Sequence, residues 1–150
     1  MQHRTLGNTG LKVSRLGVGL SELGDLRLED EGIAARVLNT ALDNGINFFN
    51  TAACYGNSEE LFGRSMANRR DEHVLSTKAG HAWSDDNGES WTAETVRGDV
   101  IQALQAAKQA DKTRYIGYSS GNESTLWAVE SGLSASHWTE KCPGWRCYIS

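Results

Sequence analysis

Two residues that could share proton chemistry follow neighbouring predicted strands. Tyr55 lies in the loop after one strand, and Lys78 ends the next. A tyrosine titrates at about pH 10 and therefore exchanges protons poorly at neutral pH. A neighbouring ammonium stabilises the phenolate and lowers the pKa of a tyrosine, which then works as a general acid or base. Spacing alone leaves a second interpretation open, in which Tyr55 is a surface residue and Lys78 a solvated lysine.

Other candidate residues lie at the ends of predicted strands, because parallel sheets and barrels carry their chemistry at the carboxyl ends of the strands. These ends are Leu20-Ser21, the segment from Asn50 to Tyr55, Lys78, and Ser119-Ser120. No glycine-rich dinucleotide fingerprint or P-loop follows any strand. We therefore expect that any cofactor is held in another way.

The C-terminal residues His137, Cys142 and Cys147 invite comparison with a zinc site. A structural zinc site needs four ligands at short spacings, whereas these three are irregularly spaced. The sequence therefore predicts no metal site. With Cys54, the cysteines number three, and an odd number in a chain of this size argues against a disulfide framework.

The elements that must position these residues alternate between strand and helix, which indicates parallel βαβ units. A hairpin at 4–14 turns at Gly7 and Gly10, and four strands are predicted at 15–20, 46–49, 73–77 and 113–119. Gly17 and Gly19 alternate on one face of the first of these strands, which indicates that something approaches that face closely. The spacing alone fits equally well a strand end that turns into a loop.

Helices are predicted from periodicity and from their end signals. An apolar stripe at 33, 34, 37, 38, 41 and 42 is followed by Gly45 as a left-handed cap, and Asn57 with Glu60 forms a capping-box pattern. A helix is predicted over 92–112. A second capping-box pattern at Asp99, inside this helix, indicates that the starts of two helices follow one another directly. A loop at 80–90 and a helix at 122–129 complete the pattern.

Composition places the chain among ordinary globular proteins. It has 150 residues, 39% hydrophobic and 23% charged, with a net charge of −4. We expect no nucleic-acid partner because no basic run stands out, and no membrane span because the apolar stretches are short. The N-terminus lacks a signal-peptide core, so a cytoplasmic location is predicted. A complete eight-unit βα barrel takes about 250 residues, more than this chain has.

A family resemblance rests on the segment GINFFNTAACYG at 45–56, followed by Ser58-Glu59-Glu60. This segment closely resembles the aldo/keto reductase family. The resemblance extends to the hairpin at 4–14, to Arg69-Arg70-Asp71, to STKAG at 76–80 and to the stretch at 107–119. It implies an α/β fold, a partial (β/α)8 TIM barrel of about four βα units after a short N-terminal β-hairpin, over residues 1–133. Residues 134–150 form an unassigned tail.

The resemblance also implies roles for individual residues. Tyr55 matches the general acid that protonates the carbonyl oxygen, and Lys78 the lysine that lowers the pKa of that tyrosine. Ser119 matches the residue that hydrogen-bonds the nicotinamide carboxamide, and Leu20 lies where the first strand meets cofactor and substrate. The implied cofactor is NADP(H), less often NAD(H), and the implied substrate is a small carbonyl compound or alcohol.

The chain departs from the family pattern at several points. Asn50 stands where the family has an aspartate paired with the lysine, and no residue matches the family histidine. The start of the family's third helix, at 92–96, runs directly into that of the fourth at Asp99. No residues match the basic groups that grip the 2′-phosphate of the cofactor. We therefore expect weak cofactor binding and impaired catalysis, with Lys78 well solvated in an open half barrel.

Two alternatives stay open beside the reductase. The first is a non-catalytic remnant or interaction scaffold of the same fold, and the second is a flavodoxin-like sandwich built from the same βα units. For the half barrel we expect four parallel strands in sequential order. Its open edges predict self-association, unless residues 134–150 cover an edge.

Overall fold

The computed structural model describes residues 1–79, 99–119, 134–135 and 146–149. The chain forms two compact units, Met1–Ser76 and Thr77–Ser150. In the ranges described, no helix combines the length and hydropathy that crossing a bilayer requires. The predicted loop at 80–90, the helix start before Asp99 and the helix at 122–129 lie outside those ranges, as does the junction at 96–99 up to Asp99.

The first unit opens with the predicted hairpin. Strands β1 (His3–Thr5) and β2 (Lys12–Ser14) pair antiparallel, with His3 opposite Ser14. The turn takes positive φ angles at Gly7 (50°) and Gly10 (76°), a conformation that glycine adopts without steric cost. The hairpin prediction is therefore confirmed.

Three short parallel strands follow in sequential order: β3 (Val18–Gly19), β4 (Phe48–Asn50) and β5 (Val74–Ala79). They are linked by helices α1 (Glu31–Asp43) and α2 (Ser58–Met66). Both helices pack on one face of these strands, so the flavodoxin-like sandwich, with helices on both faces, is wrong for this unit. The arrangement is that of the first βα units of a barrel.

The core of this unit lies between the strands and the two helices. It is formed by Leu20, Leu23, Ala34, Leu38, Leu42, Phe49, Leu61, Phe62 and Met66. Only part of the predicted stripe of α1 is buried, since Ile33 and Val37 are exposed by 44% and 49%. The apolar stripe of α1 is thus wider than the part of the helix that α2 and the strands cover.

Helix α1 ends in a Schellman motif. Gly45 has a φ of 83°, its N–H donates to the Leu42 carbonyl at 2.8 Å, and the Ile46 N–H donates to the Ala41 carbonyl at 3.0 Å. These two bonds satisfy carbonyls that the end of a helix leaves without partners. The predicted role of Gly45 as a left-handed cap is confirmed.

The start of α2 departs from the sequence-based expectation. The helix begins at Ser58 after Asn57, as predicted, but the Asn57 side chain makes no capping hydrogen bond. It donates to the Leu26 carbonyl at 2.9 Å instead, and Glu60 binds Arg64. The capping box predicted from Asn57 and Glu60 is therefore wrong, because a tertiary partner replaces the local one.

Arg69 ties the end of α1 to the 3-10 turn Ala67–Glu72 that precedes β5. Its guanidinium donates to Asp43 at 2.7 Å, to Asn39 at 2.9 Å and to both carboxylate oxygens of Glu72. Hydrogen bonding from Arg69 lowers the pKa of the Glu72 carboxyl below its ordinary value. The connection fixes where the chain enters β5.

The second unit contains helix α3 (Asp99–Gln109) and three strands, β6 (Ile116–Ser119), β7 (Ser134–Ala135) and β8 (Arg146–Ile149). Strand β8 pairs antiparallel both with Thr77–Ala79 of β5 and with β6, while β7 pairs parallel with β6. The expected sequential order of four parallel strands is therefore wrong, because β8 lies between β5 and β6. This segment supplies backbone hydrogen-bond partners to both strands.

Helix α3 also ends in a Schellman motif, but without glycine. The Lys112 N–H donates to the Ala107 carbonyl at 2.9 Å and the Asp111 N–H to the Lys108 carbonyl at 3.1 Å. Asp111 has a φ of 57° and is the one non-glycine residue in the described ranges with a positive φ. A side chain there carries a steric cost that glycine avoids.

We predict that Asp111→Gly raises the free energy of unfolding by about 0.5–1 kcal/mol, because it removes the strain while the freer unfolded chain takes part of the gain back. Urea denaturation followed by circular dichroism measures the change. Asp111→Ala is the matched control, since it removes the charge and keeps the β-carbon. An equal gain in both variants would contradict the explanation from backbone strain.

Candidate active site

The strands of the first unit turn different residues to their two faces. Val18, Phe49 and Leu75 are partners across the sheet and pack into the core with the helices. Side chains alternate along a strand, so the next residues point to the opposite face. These are Gly19, Asn50 and Ser76, which are partners of one another in register. Asn50 therefore lies on the face turned away from the helices, near the carboxyl ends of β3 and β4.

The two alternating glycines before this edge have different surroundings. A β-carbon at Gly17 would lie 2.9 Å from Cδ1 and 3.2 Å from the carbonyl oxygen of Phe48, so Phe48 is the group that approaches there. A β-carbon at Gly19 would meet no described heavy atom within 4 Å. The expected close approach is confirmed at Gly17, whereas none of the described residues approaches Gly19.

Leu20 connects the ends of β3 and β4 through its backbone. It is 2% exposed, and its N–H donates to the Asn50 carbonyl at 2.9 Å. Its own carbonyl accepts a hydrogen bond from the hydroxyl of Ser58 at 2.8 Å. Leu20, which the sequence places at the end of the first strand, is thus held by hydrogen bonds at both its N–H and its carbonyl group.

A buried pair of hydroxyls extends this connection. The oxygens of Thr51 and Ser58 lie 2.9 Å apart, and both residues are fully buried. A serine hydroxyl has a single proton, and Ser58 gives it to Leu20, so Thr51 donates to Ser58. The Thr51–Ser58–Leu20 relay therefore joins the ends of two strands to the first residue of α2.

Tyr55 lies in the loop that this relay closes. Its N–H donates to the Ala52 carbonyl at 3.0 Å, and its carbonyl accepts from the Ser58 N–H at 2.9 Å. The side chain is half-buried, and the neighbouring Cys54 is an exposed free thiol. The loop is short and bonded at both ends, so it holds Tyr55 at the carboxyl ends of β3 and β4, where the sequence predicts chemistry.

Lys78 and Ser119 belong to the second unit. Lys78 is 7% exposed and lies on the buried side of the alternating pattern of β5, so the expectation of a well-solvated lysine is wrong. Ser119 ends β6, where its register partner is Arg146 of β8. The pairing of Tyr55 with Lys78 joins the two units and stays a prediction, as does the cofactor role of Ser119.

Sequence reasoning gave no role to Thr51 and Ser58, although both lie in or beside the segment that carries the resemblance. The signal was a pair of small hydroxyl residues on either side of a strand-to-helix loop. In the described parts of the chain, no group of three or more His, Cys, Asp and Glu could hold a metal ion. His137 and Cys142 lie outside those parts.

Comparison with known proteins gives a consistent result. The model of the aldo/keto reductase family matches residues 15–119, a range that contains all five candidate residues. The uncharacterized oxidoreductase YqkF of Bacillus subtilis is 35% identical over 118 residues, which is 77% of this chain and 37% of YqkF. L-galactose dehydrogenase of Arabidopsis thaliana is 32% identical over 154 residues, covering 76% of this chain and 47% of that enzyme.

Solved structures show the same likeness. Two structures assigned as aldo-keto reductases of Pseudomonas aeruginosa match with TM-scores of 0.53 and 0.57 at 33% and 30% identity. The matches cover 71% and 87% of this chain, but only 40% and 56% of those proteins. The chain also spans less than half the length of the two curated relatives.

We predict that Ser58→Ala lowers the free energy of unfolding by about 1–3 kcal/mol, because it leaves the buried Thr51 hydroxyl and Leu20 carbonyl without this partner. Adding Thr51→Val should cost less than the sum of the single changes, as expected for groups in one network. Urea denaturation measures all variants. Ser65→Ala is the control, since the buried Ser65 hydroxyl in the same helix has no hydrogen-bond partner; a loss there equal to that of Ser58→Ala would refute the relay.

Proposed function

Since the chain belongs to the aldo/keto reductase family, we propose that it carries part of the site of a nicotinamide-dependent oxidoreductase acting on a small carbonyl compound or alcohol. The observation that supports this most is the placement of Tyr55, on a loop bonded at both ends beside the carboxyl ends of β3 and β4. These ends are where parallel α/β proteins bind and convert their ligands.

In this proposal Tyr55 is the general acid and base, and Lys78 stabilises the negative charge of the phenolate that Tyr55 becomes. The hydroxyl of Tyr55 donates its proton to the carbonyl oxygen of the substrate as that oxygen becomes negative. The ammonium of Lys78 stabilises the phenolate that remains. The chemistry that a bound reduced nicotinamide supplies is the hydride for the carbonyl carbon. In the reverse direction, the phenolate of Tyr55 takes the proton of the alcohol.

The residues of the first unit leave room for such a ring. Gly19 has no described heavy atom within 4 Å of the position of a β-carbon, and its register partner is Asn50. The neighbouring Leu20 is fixed by bonds to Asn50 and Ser58, so its backbone offers a rigid wall. Leu20 and Gly19 would hold one side of the nicotinamide, and by resemblance Ser119 would bind its carboxamide.

The second candidate function is a non-catalytic scaffold of the same fold, and Asn50 favours it. An amide accepts a hydrogen bond from a lysine but cannot balance its charge. Burial disfavours the charged form of a lysine, Lys78 is buried, and Asn50 brings it no negative charge. We propose that catalysis in this chain is impaired for this reason. A cytoplasmic location and self-association through open strand edges stay expectations.

We predict that the 150-residue chain binds NADPH much more weakly than micromolar, because no residue of the sequence matches the family's phosphate clamp. The loss of two charge-assisted hydrogen bonds, at roughly 1.5–3 kcal/mol each, weakens binding about a hundredfold or more. Fluorescence titration measures the affinity. Gly19→Val should abolish what binding remains, whereas Gly63→Ala, at an equally open position in α2, should leave it unchanged. Micromolar binding by the parent chain would overturn this prediction.

We also predict that Asn50→Asp alone does not restore carbonyl reduction. General acid–base help is worth about 10²–10⁴-fold, whereas positioning of reactants is worth about 7–11 kcal/mol and depends on a firmly bound cofactor. NADPH oxidation is followed with a panel of aldehydes and ketones for the parent, Asn50→Asp and Tyr55→Phe. A rate that appears in Asn50→Asp and disappears when Tyr55→Phe is added would show that a working site still assembles.

A further inference from the structure

A 3-10 turn, Glu22–Asp25, lies directly against the loop that carries Tyr55. A β-carbon at Gly24 would collide with the carbonyl oxygen of Tyr55 and lie 2.6 Å from its carbonyl carbon. A β-carbon at Gly56 would lie 2.5 Å from the carbonyl oxygen of Gly24, and Gly56 has a φ of 46°. The two backbones therefore touch at a pair of glycines, where any side chain would push them apart.

Asn57 holds the same two segments together. Its backbone N–H donates to the Gly24 carbonyl at 3.2 Å, and its side-chain amide donates to the Leu26 carbonyl at 2.9 Å. The turn is itself fixed, because Leu23 is 8% exposed and belongs to the core. The loop is thus blocked by the backbone of Gly24 and tied to the same turn by the two hydrogen bonds of Asn57.

The direction of the Asn57 side chain is a separate indication. Asn57 lies at the N-cap of α2, where an asparagine usually accepts a hydrogen bond from its own helix. Here it makes no such bond and donates its amide across to Leu26. The Asn57 side chain therefore does not stabilise the start of its own helix and instead connects the turn to the loop.

We propose that Gly24 and Asn57 are positioning residues for Tyr55, and that the turn Glu22–Asp25 is the support against which the tyrosine is set. The proposal rests on the proposed function, in which the hydroxyl of Tyr55 must reach the carbonyl oxygen of the substrate. Neither residue touches the reacting atoms. Both act on the peptide units at 55–57, and a displacement of about 1 Å at a reacting group can cost about 100-fold in rate.

The test follows Tyr55 itself by ¹⁹F NMR of the full chain labelled with 3-fluorotyrosine. Tyr55→Phe identifies the resonance of position 55 among the four tyrosines. Asn57→Asp keeps a good N-cap residue but removes the amide donor, so it breaks the connection to Leu26 without weakening the start of the helix. Gly24→Ala adds the colliding β-carbon.

Two control variants match these changes elsewhere in the first unit. Asn44→Asp removes an exposed amide that donates to the Thr40 carbonyl at 2.8 Å. Gly32→Ala adds a β-carbon in α1 at a position where no atom of the described residues lies within 4 Å. Both should leave the resonance of position 55 in place. Circular dichroism confirms that each variant is folded, and Asn57→Asp decides the question if Gly24→Ala does not fold.

We expect the resonance of position 55 to move toward that of the free fluorinated amino acid in Asn57→Asp and Gly24→Ala, with the other three unchanged. In any chain that turns over NADPH, kcat should fall about 100-fold with KM nearly unchanged. A resonance that stays in place in folded Asn57→Asp overturns the positioning proposal. A resonance that moves, together with residual NADPH binding that Gly19→Val leaves unchanged, supports positioning and refutes the proposed function instead.

Discussion

The buried hydroxyl relay Thr51–Ser58–Leu20 is the interaction on which the candidate site depends. It joins the end of β4 and the first residue of α2, seven residues apart, to the end of β3, which lies 38 residues before Ser58. Each oxygen lies where no water reaches it, so a missing partner would leave a buried polar group uncompensated. The short loop with Tyr55 therefore has both ends fixed to the sheet before any contact of the tyrosine side chain is considered.

A second constraint acts on this loop from outside the sheet. The backbone of Gly24 allows no side chain between the turn and Tyr55, and Asn57 donates to both carbonyls that face it. The relay fixes the ends of the loop, and these contacts fix its middle. Such a loop sets the position of a backbone, not the charge of a site.

Local signals in the sequence predicted the elements of the first unit well. Gly45 predicted the end of α1 because only a residue that tolerates positive φ completes that motif. The alternation at Gly17 predicted a close neighbour, which is Phe48. The capping-box signal failed because both side chains bind other groups. Asn57 and Glu60 have the pattern of a capping box, yet the side-chain amide of Asn57 donates to the Leu26 carbonyl and the carboxylate of Glu60 binds Arg64.

The sequence by itself determined the βα order along the chain, the hairpin, the end of α1 and the candidate residues Tyr55, Lys78 and Asn50, because these follow from short-range patterns and from a motif that is continuous in the chain. Only the tertiary structure decided that Lys78 is buried, that Phe48 approaches Gly17 while no described residue approaches Gly19, and that β8 pairs between β5 and β6. Burial and strand pairing depend on which distant segments meet, and no local period records that choice.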